Sequence, residues 1–241
     1  MRTLPFLLAL GIALPAAAEV PEKWHAALAE QLPSGQRIVQ TLAGDVDNDG
    51  KDEWIAIGEP TAVPGREVSV AIFSPAQGKA PPRLRFAQRL RGEGLERAGA
   101  AVQKVSPIGN ALVVVGAAPR SDGDSTFVMQ LYAWNGKRFR PVVPERLDFR
   151  SQGGFAIENV DPTSKGDEIV RWSYVRGPHE QLFDLHHYET QIYRWDGLRF
   201  ISPDRPSRTA GQLASPDDAA RSLGVKTGDQ RRRIPRVAEV P

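Results

Sequence analysis

One unit recurs along this chain, and the recurrence limits the fold more than any single residue does. Tyr132-Ala-Trp134-Asn135-Gly136-Lys-Arg-Phe139 returns as Tyr193-Arg-Trp195-Asp196-Gly197-Leu-Arg-Phe200, with the tryptophans 61 residues apart (134 to 195). Val46-Asp47 returns as Val160-Asp161, 114 residues on, or two periods of 57. Between them, Leu112-Val-Val-Val-Gly116 matches Trp54-Ile-Ala-Ile-Gly58 at an offset of 58. Three units of about 57–61 residues result, each with the strand content of a small antiparallel sheet. A repeat of that length built from about four strands has the arithmetic of a propeller blade. Three units are fewer than a closed propeller needs. The expected fold is therefore all-β: repeated antiparallel sheets in a small or incomplete propeller, or one completed by the terminal segments.

Within the units, short β-branched runs alternate with Gly, Pro, Asn and Asp, which is strand-and-turn chemistry. The predicted strands are Ile38–Ala43, Glu53–Gly58, Glu67–Phe73, Leu84–Gln88, Ala100–Val105, Ala111–Ala117, Thr126–Trp134, Phe155–Val160, Glu168–Val175 and Tyr188–Trp195. Asn135-Gly136 and Asp196-Gly197 predict two-residue type I′ hairpins. Pro21–Leu32 predicts a short helix, with Trp24, Leu28 and Leu32 on one face. Ser215-Pro216-Asp217-Asp218 opens a second helix: an N-cap, a proline in the first turn and two acids facing the dipole, closed by Gly224.

The first unit carries the chemistry. In Gly44-Asp45-Val46-Asp47-Asn48-Asp49-Gly50-Lys51-Asp52-Glu53, acids recur at alternate positions and a glycine follows the third. Ca²⁺ wants roughly six to eight oxygens, and a tight loop supplies them at alternate residues. Asp45, Asp47 and Asp49 take positions 1, 3 and 5, and Gly50 permits the reversal. Lys51 offers its backbone carbonyl and Glu53 closes the shell. Asp52 has the opposite phase. The loop is not an EF-hand, because position 12 is Ala56 and a strand follows.

These residues resemble the Asp-x-Asn-x-Asp-Gly-x-x-Asp-Leu-x-Val-Gly signature of FG-GAP repeats, also called VCBS-like repeats, known from integrin α-subunit propellers. Val115-Gly116-Ala-Ala-Pro119 is similar to the Val-Gly-Ala-Pro strand end of the same family. The resemblance implies Ca²⁺ held between two strands of a blade by Asp45, Asp47, Asp49, Lys51 and Glu53. The third unit, Asn159 to Ile169, puts Thr163 where Asp49 stands and carries one extra residue. It is either a weakened site or a loop that keeps only a hydrogen-bonded turn. The middle unit, Val105 to Asn110, has no acids and should bind nothing.

The ends set the compartment. Arg2, the apolar run from Leu4 to Leu14 and Ala16-Ala17-Ala18 read as a secretory leader over 1–18. The run is shorter than the ~20 residues of a membrane span. The expected organisation is a leader (1–18), an N-terminal helix (19–36), the β-repeat domain (37–206), and a short helix with a basic, disordered tail (207–241). The expected location is periplasmic or secreted, with no lipid-anchor cysteine. The chain contains no cysteine at all, so disulfides, thiolate nucleophiles and cysteine zinc sites are excluded. Its 31 basic residues nearly balance its 29 acidic ones, which does not suggest nucleic acid. The basic excess sits in the tail, around Arg231-Arg232-Arg233.

No other segment carries a reaction. His186 and His187 are adjacent on a strand and face opposite sides. His187 with Glu189, or Asp184 with His186, could pair on one face. Arg120 to Ser125 reads as an exposed loop tip. The five tryptophans are mostly core candidates, from their strand or helix-face positions. The expected function is a non-catalytic, calcium-braced module that binds an unknown protein or a cell-envelope polymer. One specific version is an inhibitor of a peptidoglycan hydrolase. A hydrolase acting on envelope polysaccharide is the enzymatic alternative, with Asp184, His186 and Glu189 as its local acid–base group.

Overall fold

The computed structural model describes residues 20–226, apart from 34, 62–67, 91–93, 121–123, 144–146, 151, 178 and 182–183. The segments read from sequence as a leader (1–18) and as a disordered tail (from 227 onward) lie outside the described residues. The three repeats form three separate antiparallel sheets. The first runs β1 (Gln36–Gly44), β2 (Glu53–Pro60), β3 (Ser69–Ser74) and β4 (Arg83–Arg89) in sequence order. The second runs β5 (Arg97–Val105), β6 (Gly109–Pro119), β7 (Ser125–Trp134) and β8 (Phe139–Pro141), with β9 (Leu147–Arg150) also on β7. The third runs β10 (Gly154–Glu158), β11 (Glu168–Val175), β12 (His187–Trp195) and β13 (Phe200–Ile201), with β14 (Ser207–Arg208) also on β12.

The outermost strand differs between repeats. β4 pairs along the whole of β3. In the second sheet that strand is split: β8 pairs Tyr132–Trp134, and β9 pairs Thr126–Met129. The third sheet repeats the split, with β13 at Arg194–Trp195 and β14 at Glu189–Thr190. Such short pieces show too little alternation to be read as strands from sequence. The hairpin turns also differ from expectation. Positive φ falls on Gly136 (88°) and Gly197 (102°) but not on Asn135 or Asp196, so neither turn is type I′. Gly136 and Lys137 are the two central residues, since Asn135 N–H donates to Arg138 O at 3.2 Å. The Asn135 side chain accepts from the Lys137 and Arg138 amides, and Asp196 does the same for Leu198 and Arg199.

The sheets stack face to face. Ile55, Ile57, Val70 and Ile72 of the first sheet pack on Leu112, Val114 and Tyr132 of the second. The alternate residues Val113, Val115, Met129 and Leu131 turn the other way, onto Phe155, Ile157 and Ile169 of the third. Burial on both faces is why Ala111–Val115 is an unbroken apolar run. Each end of the stack is sealed by a helix. A 3-10 turn (Glu22–Trp24) leads into α1 (His25–Ala29), shorter than the predicted helix, and Leu28 and Leu32 cover Ala56, Ala71 and Phe73. At the far end α2 (Pro216–Ser222) lays Ala219 and Ala220 over Val170 and Trp172. Ser215 caps α2 through the Asp218 amide, as its sequence predicts. Among the described residues, no core cluster joins the first sheet to the third. The repeats form an open, helix-capped row, and the helices cover the end sheets without closing a ring.

Candidate metal centre

The acidic loop lies between β1 and β2, where the hairpin must reverse over eight residues (45–52). Its backbone is shaped by its own carboxylates. Asp45 Oδ1 accepts from the Asp49 amide and Oδ2 from the Gly50 amide, both at 3.1 Å. Asp47 Oδ1 also accepts from the Asp49 amide at 3.1 Å, and Asp49 Oδ1 accepts from the Lys51 amide at 2.8 Å. Asn48 and Gly50 both take positive φ, 63° and 85°, a conformation that Asn and Gly tolerate best. These bonds wind the loop until one oxygen each from Asp45, Asp47 and Asp49 lies within 4.8 Å of the others. Carboxylates at that spacing repel by about 1 kcal/mol per pair in water, and about 3 at an effective dielectric near 20. Hard oxygen donors clustered this way suit a hard divalent cation.

Glu53, expected to close the shell, is directed elsewhere. It is buried at the start of β2, and its Oε2 accepts from the amides of Val46 (3.0 Å) and Asp47 (3.2 Å). Its Oε1 meets Arg85 Nη1 at 2.8 Å, and the same nitrogen reaches Asp47 Oδ2 at 2.7 Å. Burial raises the Glu53 carboxyl above its ordinary range, and the Asp47 charge adds to this. The two backbone bonds and Arg85 oppose the rise. Glu53 therefore holds the loop from beneath, and the group that could hold a metal ion is the aspartate trio. Lys51 is exposed, and its amide completes the turn on Asp49.

Arg85 was not legible as a site residue. It comes from β4, outside the loop, and its guanidinium lies 4.7 Å from the Trp134 ring and 5.2 Å from the Phe139 ring. Those aromatics belong to the second sheet, so one arginine ties the acidic loop to the next repeat. Among the described residues it is the only cation in ion-pair contact with the group. The alternation Arg83-Leu84-Arg85-Phe86 carries no signal of that role.

The equivalent loops of the three repeats touch in a row. Asn110, just past the β5–β6 turn, donates its amide to Asn48 Oδ1 (2.7 Å) and its side chain to Asp45 O (2.7 Å). A side chain at Gly109 would collide with Asn48, so the turn approaches as closely as glycine allows. On its other side Ser106 exchanges two 2.9 Å bonds with Asp167, from its amide to Asp167 Oδ2 and from the Asp167 amide to Ser106 O. The middle turn, which lacks acids, is the spacer between the two acidic loops.

The third loop holds Asp161 on its own turn. Asp161 Oδ1 accepts from the Thr163 amide and hydroxyl at 2.9 and 2.7 Å, which lowers its carboxyl below the usual range. Arg194 lies 3.7 Å from Asp161 Oδ2. Glu168 repeats the position of Glu53: it is buried, and its Oε2 accepts from the Val160 amide at 3.0 Å. No arginine answers the other oxygen, and Oε1 has no hydrogen-bond partner.

The weaker candidates separate. His186 is buried and pairs with Glu180 at 3.1 Å, while His187 Nδ1 meets the Thr209 carbonyl at 3.0 Å. Glu189 pairs with Arg171 at 2.7 Å, and Asp184 accepts from the Gln181 amide. Neither expected histidine–acid pair forms, and Asp184, His186 and Glu189 do not converge. Asp124, read as part of an exposed tip, is buried and accepts from the Tyr174 hydroxyl at 2.5 Å. No helix of the described residues is long and apolar enough to cross a membrane. Comparison with known proteins returned no matching family model, no matching curated protein and no matching solved structure.

Proposed function

We propose that this chain is an exported, calcium-binding FG-GAP-like repeat protein that acts as a non-catalytic binding module. Ca²⁺ braces the first loop, and the row of repeat loops meets another protein or a cell-envelope polymer. The observation that carries this reading is the convergence of Asp45, Asp47 and Asp49 oxygens within 4.8 Å. Its donors are all oxygens, which favours Ca²⁺ over softer metals. The ion would offset the mutual repulsion of the trio, and Glu53 and Arg85 would hold the loop frame beneath it. Because the three loops are hydrogen-bonded in a row, order gained in the first is passed to its neighbours.

The test is capture from a cell-envelope extract with immobilised protein, in Ca²⁺ and in EGTA, using wild type and Asp49→Asn. Asn retains an acceptor for the Lys51 amide while removing one metal-facing charge. A partner retained by wild type in Ca²⁺, and released by EGTA or by the substitution, supports the module. Retention that ignores both, or no retention, contradicts it.

A further inference from the structure

The exposed hairpin turns of the second and third repeats differ in one chemically active group. Asn135-Gly136 and Asp196-Gly197 occupy equivalent positions, and in each turn one side-chain oxygen accepts from two amides. Asn135 Oδ1 takes those of Lys137 (3.0 Å) and Arg138 (2.9 Å), and Asp196 Oδ1 those of Leu198 (2.7 Å) and Arg199 (2.8 Å). The Arg199 and Leu198 amides hold the Asp196 carboxyl below its ordinary range, so a donor pair in this turn stabilises negative charge on that oxygen. At Asn135 the same arrangement polarises an amide carbonyl and makes its Cγ more electrophilic.

Asn135 is also followed by an amide that nothing holds. The chain has four asparagines, Asn48, Asn110, Asn135 and Asn159. The amide after Asn48 is bound by Asp45 and Asp47, and the amide after Asn159 by Glu168. Ala111, after Asn110, is buried within the β5–β6 ladder. The Gly136 amide has no hydrogen-bond partner among the described residues. Nor is it crowded: no atom lies within 4 Å of where a Gly136 Cβ would stand.

We infer that Asn135-Gly136 is a site of spontaneous deamidation in the folded protein, with water as the co-reactant. The Gly136 N–H gives its proton to solvent base, and the nitrogen attacks Asn135 Cγ to form a C–N bond. The negative oxygen of the tetrahedral adduct is Oδ1, which already faces the Lys137 and Arg138 amides. Collapse breaks the Cγ–Nδ2 bond, and Nδ2 takes a proton and leaves as ammonia. Water then opens the cyclic imide at either carbonyl, giving aspartate or isoaspartate with no change in oxidation state. Aspartate fits the turn, as Asp196 shows. Isoaspartate lengthens the backbone by a methylene beside Trp134, whose ring packs with that of Phe139 on Arg85.

The test is timed incubation of the whole protein in mildly alkaline buffer, followed by peptide mass spectrometry and isoaspartate detection. Wild type, Gly136→Ala and Asp196→Asn are compared with a free peptide spanning Tyr132 to Phe139. The expected result is conversion at Asn135 about tenfold or more faster than at Asn48, Asn110 and Asn159. Gly136→Ala should slow it by a similar factor, by crowding the attacking nitrogen. Asp196→Asn should create a second reactive turn, and it keeps the test valid should Gly136→Ala distort the first. A folded protein that keeps Asn135 while the free peptide loses it would overturn the assignment. So would conversion spread evenly over the asparagines, or an inert residue 196 in Asp196→Asn.

Discussion

The first and third repeat loops start from the same plan and end in different electrostatic states. Each sits between the two strands of a hairpin, and each buries a glutamate at the first residue of the second strand. Each glutamate accepts from amides at the start of its loop. In the first loop, Arg85 answers the second carboxylate oxygen and three aspartates crowd together. In the third, Thr163 replaces one acid, its hydroxyl caps Asp161, and the second oxygen of Glu168 stays unpartnered. The conserved part of the plan is therefore the backbone clamp. What varies is the charge above it, and that variable part decides whether a cation has anything to neutralise.

The largest effect should come from breaking the clamps. Glu53→Ala strands two amides and leaves Arg85 without its buried partner, and should cost about 3–5 kcal/mol. Glu168→Ala strands one amide, and should cost about 1–3 kcal/mol. Urea denaturation of both variants measures the difference, and equal losses would mean that Arg85 adds nothing to the first clamp.

A smaller effect isolates Arg85. Arg85→Met keeps an apolar stem against Trp134 and removes the charge, and should lower calcium-free stability by about 2 kcal/mol. It should also raise Ca²⁺ affinity about three- to tenfold, because a positive charge leaves the neighbourhood of Asp47. Calorimetric titration beside a melting curve reads both changes. A loss of stability without a gain in affinity would place Arg85 outside the electrostatics of the trio.

The smallest effects are in pH dependence, and they have opposite signs. Glu53 has a raised carboxyl, so the folded state holds a proton that the unfolded state releases. Stability should fall as pH rises above 4.5, the ordinary value for that group, and Glu53→Gln should flatten this part of the curve. Asp161 has a lowered carboxyl, so its contribution is present above 3.8 and lost as pH falls below it. Asp161→Asn should flatten that limb alone. Melting temperatures across the acid range, without Ca²⁺, distinguish the two.

Much of this architecture was legible in the chain. The ten longer strands announced themselves by apolar runs between Gly and Asp turns, and the repeat spacing matched three sheets. The short outer pieces β8, β9, β13 and β14 did not, because two to four residues carry no periodicity. Both helices were legible as helices. Their role as end caps was not, since covering a sheet face is a tertiary fact. At the site, alternation correctly grouped Asp45, Asp47 and Asp49. It also placed Glu53 among them, because spacing cannot tell an oxygen facing a cation from one facing buried amides. A signal existed: Asp52-Glu53 and Asp167-Glu168 both put an Asp-Glu pair at the start of an apolar strand, and the pair persists in the third repeat although Thr163 has replaced the acid at the Asp49 position. Arg85 left no such trace, because its partners lie 32 and 38 residues away.

Thermal melting in saturating Ca²⁺ and in EGTA, for wild type, Asp49→Asn and Asp161→Asn, tests most directly whether the first loop alone holds a cation. Wild type and Asp161→Asn should both be stabilised by Ca²⁺, by about 2.7 kcal/mol at a hundredfold excess over Kd, and Asp49→Asn should lose most of that gain. Identical melts with and without Ca²⁺ in wild type, or a calcium response lost in Asp161→Asn and kept in Asp49→Asn, would contradict it.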